Sequence, residues 1–241
     1  MMRLGLIGKS LKHSFSPEYF EAKFKKEGIA GLYQTFELNA IEEFERLVQN
    51  EELNGLNVTI PYKEAVIPFL DELDPVAKEI GAVNTICFKQ GKKIGYNTDA
   101  PGFLEDLKPL LKPTDKNALV LGTGGASKAV IHALQSLGIN HQTVSRSAQG
   151  LRYTDLSEGL LQETQLIINT TPVGMYPNVD ACIQLPWKGI NHRHLLYDLI
   201  YNPAETLFLK HGREKGARTG NGYKMLVNQA ELSFALWEKN T

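Results

Sequence analysis

Asn117-Ala118-Leu119-Val120-Leu121-Gly122-Thr123-Gly124-Gly125-Ala126-Ser127 is the stretch on which the fold turns. Its first five residues form a short apolar run, the pattern of a strand buried in a parallel sheet. The glycines that follow predict a tight turn. Beyond them Val130, Ala133, Leu134 and Leu137 recur at helical spacing up to Gly138, where a helix is expected to stop. A glycine turn between a strand and a helix is suited to a pyrophosphate, because backbone N–H groups can approach the anion and the helix N-terminus adds partial positive charge. Gly122, Thr123, Gly124, Gly125 and Ala126 are therefore candidate nucleotide contacts. Ser127 stands where the usual pattern has a third small Gly or Ala.

The following strand, Gln142-Thr143-Val144, ends in Ser145-Arg146-Ser147. An NAD site usually carries an acid about 20 residues after the glycines, for the ribose hydroxyls. Here there is none. An arginine can pair with the 2′-phosphate of NADP, and two serine hydroxyls can add hydrogen bonds, so the expected cofactor is NADP, held by Ser145, Arg146 and Ser147. Leu166–Asn169 and Leu195–Ile200 read as two more buried strands. Asn202-Pro203 reads as a cap and first position of a helix carrying Leu207 and Phe208. A last helix is expected from about Gly222.

Towards the N-terminus, Arg3–Gly8 and Leu32–Leu38 read as strands. Between them Ser16 is placed as the cap and Pro17 as the first residue of a helix carrying Phe20 and Phe24 and stopped by Gly28. Ile41, Phe44, Leu47 and Val48 mark a second helix. Gly55–Ile60 alternates as a strand that Pro61 ends. The β-α-β-α-β order predicts a parallel sheet, and Gln90-Gly91 between two apolar segments predicts a hairpin at an antiparallel edge. Asn57, Thr59 and Lys63 gather near the carboxyl end of a strand, where open α/β sheets take their ligands. The fold class is thus α/β in two domains: an N-terminal α/β domain with a mostly parallel mixed sheet, and a Rossmann-type nucleotide-binding domain, with a cleft between them. The boundaries are 1–100, completed by the C-terminal helix 221–241, and 101–220.

The 241 residues carry 26 Lys plus Arg against 27 Asp plus Glu, a balance that argues against nucleic acid as a partner. No apolar run approaches the roughly 18–20 residues of a membrane span. The two cysteines, Cys87 and Cys182, lack metal-site spacing, so no metal is expected and a cytoplasmic location is. His192 and His194 are read as surface residues, and His13 as loop packing.

Four N-terminal segments, Ser14-Phe15-Ser16-Pro17, Asn57–Lys63, Gly81–Thr85 and Asn97-Thr98-Asp99, resemble the shikimate dehydrogenase family. So do Gly122–Ser127 and Gly222–Ala230, in the family's order along nearly the whole chain. The resemblance implies NADP-linked, reversible reduction of 3-dehydroshikimate to shikimate on the path to aromatic amino acids. It implies that Ser14 and Ser16 hold the substrate carboxylate, and that Thr59, Lys63, Asn84 and Asp99 bind the ring hydroxyls. It makes Lys63 and Asp99 the catalytic pair, adds Tyr201 and Gln229 to the substrate site, and adds Leu199 and Gly222 on the cofactor side. The family often has a second basic residue after the arginine, where this chain has Ala148-Gln149-Gly150. Two alternatives stand beside this: a non-catalytic sensor of shikimate or quinate, and an NAD-linked quinate enzyme. A small-molecule substrate is the expected partner, and a homodimer is left open.

Overall fold

The computed structural model describes residues 1–12, 14–146 and 150–240; His13 and the cofactor candidate Ser147 lie outside the described residues. The chain divides into two units, Met1–Thr98 together with the chain from Ala230 on, and Asp99–Gln229.

In the first unit β1 (Met2–Gly8), α1 (Ser16–Glu27), β2 (Gly31–Glu37), α2 (Glu43–Asn50) and β3 (Gly55–Val58) follow one another. Both β2 and β3 run parallel to β1, as the order of elements requires. Then come α3 (Tyr62–Ala65), β4 (Glu72–Leu73), α4 (Pro75–Ile80), β5 (Thr85–Lys89) and β6 (Lys92–Tyr96). The hairpin of β5 and β6 turns on Gln90 and Gly91, with φ of 51° and 76°, the left-handed pair that a two-residue turn demands. The strand order β2-β1-β3-β5-β6-β4 puts β4, which the sequence does not announce, outside the hairpin as the edge.

The second unit runs through α5 (Asp99–Leu107), β7 (Asn117–Leu121), α6 (Gly125–Ser136), β8 (Asn140–Ser145), β9 (Leu151–Arg152) and α7 (Glu158–Glu163). It continues with β10 (Leu166–Asn169), β11 (Leu195–Asp198), α8 (Leu207–Glu214), β12 (Arg218–Asn221) and the start of α9 (Tyr223–Asn240). Every neighbouring pair of strands is parallel. In the order β9-β8-β7-β10-β11-β12 they reproduce the 3-2-1-4-5-6 arrangement of dinucleotide-binding sheets. Phe103, Leu107, Val130 and Leu134 pack on one face; Leu161, Phe208 and Leu209 pack on the other. Helix α9 serves both units. Met225 joins the core of the second, while Phe234 and Trp237 join Phe20, Phe24 and Leu4 in the first.

Several expectations need correction. Ser16 is the first residue of α1, not its cap; Phe15 holds the cap position and no side chain bonds the helix end. Strand β3 ends at Val58, and Ile60 is 64% exposed, because the chain turns where the Tyr62 N–H donates to the Thr59 carbonyl at 2.9 Å. The polar face of β3 is buried too, since α9 covers it. A Cβ on Gly55 would lie 2.1 Å from Trp237 Nε1, so only glycine admits the indole, whose N–H donates to the Ile86 carbonyl at 3.0 Å. Helix α8 starts at Leu207 with Thr206 as its cap; Asn202 instead accepts from the Tyr176 N–H at 3.1 Å. His194 is buried rather than on the surface, its Nε2 lying 2.8 Å from the Leu161 carbonyl.

Candidate active site

Within the first unit, parallel pairing aligns the carboxyl ends of three strands: Gly8 faces Glu37, and Ile7 faces Val58. The segments leaving this edge carry Ser14 and Thr59 in loops, Ser16 at the start of α1 and Lys63 in α3. The antiparallel partner β5 runs the other way, with Thr85 opposite Asn57, so Asn84 arrives at the same edge. Strand β6 then returns Tyr96 opposite Thr85, bringing Asn97 and Thr98 there as well.

A buried polar network fixes this edge. Ser16 is hydrogen-bonded to the Tyr33 hydroxyl, whose ionisation burial pushes far up. Tyr33 donates to Asn57 Oδ1 at 2.7 Å, and Asn57 Nδ2 donates to the Asn84 carbonyl at 3.2 Å and to Ser233 Oγ at 3.1 Å. Ser233 Oγ in turn lies 2.7 Å from Thr85 Oγ1 and 3.0 Å from Thr98 Oγ1. Asn84 Nδ2 donates to Thr98 Oγ1 at 2.8 Å, and the Thr98 N–H donates to Asn84 Oδ1 at 2.7 Å. Satisfied buried networks of this kind hold side chains in one arrangement. Asn57 therefore serves the frame of the edge. Thr59 and Lys63 are half-buried; the Lys63 carbonyl accepts from Val83 N–H at 2.7 Å, and the Thr59 N–H donates to the Ile7 carbonyl at 2.9 Å. The structure thus brings Ser16, Thr59, Lys63 and Asn84 to one sheet edge, and Ser14 to the loop that leaves it.

The remaining substrate candidates belong to the second unit. Asp99, buried, opens α5 directly after Thr98. Tyr201 follows β11, which is not the last strand of its sheet, since β12 comes after it. Gln229 lies on α9, buried, its Nε2 donating to the Leu226 carbonyl at 2.8 Å.

The glycine loop has the geometry its sequence announces. Gly122, at φ 117°, leaves β7 so close to the next loop that a Cβ would lie 2.6 Å from Thr170 Oγ1. A Cβ on Gly124 would meet nothing within 4 Å, so the outer side of the loop is open where α6 begins. Ser127 takes the third small position without loss of packing: it is buried and its hydroxyl donates to the Gly124 carbonyl at 2.6 Å. Strand β8 ends beside this loop, with Val144 opposite Leu121. There Ser145 is buried and Arg146 exposed. Burial raises the Tyr153 phenol, and the positive charge of Arg146 opposes that rise. An open glycine loop at a helix N-terminus with an arginine one strand away fits a phosphorylated dinucleotide. On the opposite side of the switch point, Leu199 and Gly222 meet: a Cβ on Gly222 would lie 2.0 Å from the Leu199 carbonyl oxygen.

One cluster went unread in the sequence. Asp198, at the end of β11 and fully buried, accepts from Asn169 Nδ2 and from the Ile200 N–H, both at 3.0 Å, and from Thr206 Oγ1 at 2.6 Å. Burial pushes its carboxyl up to about 7 against the pull of these donors. The signal was available: Asp198 and Asn169 are polar residues closing apolar strands, the same cue that drew attention to Asn57 through Lys63. Among the described residues no cluster of three or more His, Cys, Asp or Glu could hold a metal ion. No described helix is long and apolar enough to cross a membrane.

Fold and site together define a nucleotide-linked enzyme of the Rossmann class with a separate small-molecule unit. The family model for the shikimate dehydrogenase substrate binding domain matches residues 6–86. A shikimate dehydrogenase (NADP(+)) of Carboxydothermus hydrogenoformans is 42% identical, over 97% of this chain and 90% of its own length. The crystal structure of shikimate dehydrogenase from Aquifex aeolicus superposes with a TM-score of 0.90 at 37% identity, over 99% of this chain and 93% of that one. The enzyme of Thermus thermophilus, solved in complex with NADP(H) and shikimate, gives 0.88 at 35%, over 99% and 94%. The chain belongs to the shikimate dehydrogenase family.

Proposed function

We propose that this protein catalyses the reversible, NADPH-dependent reduction of 3-dehydroshikimate to shikimate on the route to aromatic amino acids, an oxidoreductase acting on a CH–OH group. What carries this assignment is similarity along 97% of the chain to an enzyme with that name. NADPH, when bound, supplies the hydride. The substrate is held mainly by residues 1–100 with 221–241, and the cofactor mainly by 101–220; Tyr201 and Gly222 cross that division. Ser14 and Ser16 hold the carboxylate; Thr59, Asn84, Tyr201 and Gln229 hold the ring hydroxyls. The Lys63 ammonium polarises the ring carbonyl and delivers the proton as the alkoxide forms, and in the reverse direction Lys63 takes it back. Asp99 completes the proton-handling pair and accepts from a ring hydroxyl. Backbone N–H groups of Gly122 through Ala126 receive the pyrophosphate, Ser145, Arg146 and Ser147 the adenosine phosphate, and Leu199 with Gly222 the far half of the dinucleotide. The protein works in the cytoplasm on small molecules, and a near-balanced charge suits that role.

Mixing purified protein with shikimate and NADP+ is expected to raise absorbance in the NADPH band; a silent mixture would refute the activity. The cofactor assignment has its own test. Arg146→Ala should weaken NADP+ binding by about 10–100-fold, the worth of a charge-assisted hydrogen bond to phosphate, and leave NAD+ binding nearly unchanged. Equal losses for the two in titration calorimetry would mean that Arg146 does not read the 2′-phosphate.

A further inference from the structure

The proton chemistry above gives no role to Asp198, yet its carboxylate joins three separate segments of the second unit. Its first arm is Asn169, whose Oδ1 accepts from the Thr171 N–H at 2.9 Å and from Thr171 Oγ1 at 2.7 Å. Thr170 and Thr171 are the residues that a Cβ on Gly122 would strike, so this arm sets the loop that borders the glycine turn. The second arm is the Ile200 N–H, between Leu199 and Tyr201. Ile200 also accepts from the Gly222 N–H at 3.3 Å, and the Leu199 carbonyl abuts Gly222. The third arm is Thr206, the cap of α8, whose hydroxyl also accepts from the Leu209 N–H at 3.4 Å.

A dinucleotide lies across the switch point of such a sheet. With the adenosine phosphate at Arg146 on the β8 side, the nicotinamide half falls towards β10 and β11, beyond Gly122. The two loops there hang from one carboxylate. We propose, on the NADP assignment above, that Asp198 is a positioning residue for the nicotinamide half of NADP, holding the Thr170–Thr171 and Leu199–Tyr201 segments at a fixed separation. A carboxylate suits this task because it accepts from three donors at once, whereas an apolar side chain would take the acceptor from the Ile200 N–H and the Thr206 hydroxyl and leave Asn169 Nδ2 only the Val173 carbonyl at 3.4 Å. Asp198 has no surface of its own and cannot touch the nucleotide.

The test compares Asp198→Ala, Thr206→Val and Thr206→Ser by steady-state kinetics, with NADP+ and shikimate varied in turn. Asp198→Ala should raise KM for NADP+ at least tenfold and Thr206→Val severalfold, while KM for shikimate, which meets this segment only through Tyr201, rises no more than about threefold. Thr206→Ser, which keeps the hydroxyl, should restore the wild-type value. A fall in folded fraction alone would lower kcat and leave both KM values in place. Thr206 is buried and its hydroxyl also caps α8 at the Leu209 N–H; loss of that cap lowers the folded fraction and leaves KM in place, so a raised KM for NADP+ in Thr206→Val reports the bond to Asp198 even if Asp198→Ala does not fold. A folded Asp198→Ala or Thr206→Val with KM for NADP+ within twofold of wild type overturns the proposal. Wild-type protein that takes up no NADP+ in calorimetry overturns the cofactor assignment, and this proposal with it.

Discussion

Replacing Lys63 by alanine is expected to lower turnover by about 10²–10⁴-fold, the usual contribution of a positioned acid–base group, while shikimate still binds. The substitution isolates the ammonium because the backbone at Lys63 is held by others. Its carbonyl accepts from the Val83 N–H at 2.7 Å, and the neighbouring Tyr62 hydroxyl donates to the Leu38 carbonyl at 2.7 Å. Alanine is also a good helix former, so the single turn of α3 should persist. Turnover and the shikimate dissociation constant, measured separately, distinguish the outcomes. A variant that turns over near the wild-type rate would remove Lys63 from the chemistry; one that loses shikimate binding outright would make it a binding residue only.

Gly222→Ala is expected to have the second large effect, on stability and on NADP+ together. A Cβ there would lie 2.0 Å from the Leu199 carbonyl oxygen and 2.6 Å from its carbon. These are backbone atoms at the end of β11, where the Leu199 N–H already donates to the Asn169 carbonyl at 3.0 Å. No side chain can rotate away to make room. Overpacking of this kind costs roughly 1–3 kcal/mol, and relief can come only by moving Leu199. The melting temperature should fall, and the rise in it on adding NADP+ should shrink, as linkage between binding and folding requires. A variant with the wild-type melting temperature and the wild-type response to NADP+ would show that Leu199 and Gly222 are not packed in this way.

What the sequence disclosed, and what it hid, follows from the range of the forces involved. The strand, glycine turn and helix at Asn117 through Ser136 are set by neighbours in the chain, and they appear where the pattern places them. The hairpin at Gln90-Gly91 is equally local. Strands β4, β9 and β12 are two to four residues long and join their sheets by backbone pairing at an edge, which leaves no side-chain period to read. Asn57 looked like one of a set of ligand groups because alternation implies a solvated polar face. That face is covered by Trp237 and by Ser233, which lies 176 residues from Asn57 along the chain, and nothing local announces them. Ser16 sits beside a proline, which is a cap signal in isolation, but its hydroxyl meets Tyr33. His194 is buried because the Leu161 carbonyl and the Asn191 backbone, 2.8 and 3.1 Å away, take its two ring nitrogens, a pairing visible only once the loops are folded. Lys63 was legible as a candidate residue and not as a mechanism: the partners proposed for it come from segments that only the whole fold, or a resemblance along the whole chain, can connect.

The most direct test of the central claim is one spectrophotometric comparison. Purified protein is offered shikimate or quinate, each with NADP+ or NAD+, and absorbance in the NADPH and NADH band is followed. Fastest reduction with shikimate and NADP+ is the predicted result. Reduction confined to quinate with NAD+, or none in any of the four mixtures, would contradict it, the first in favour of a quinate enzyme and the second in favour of a sensor.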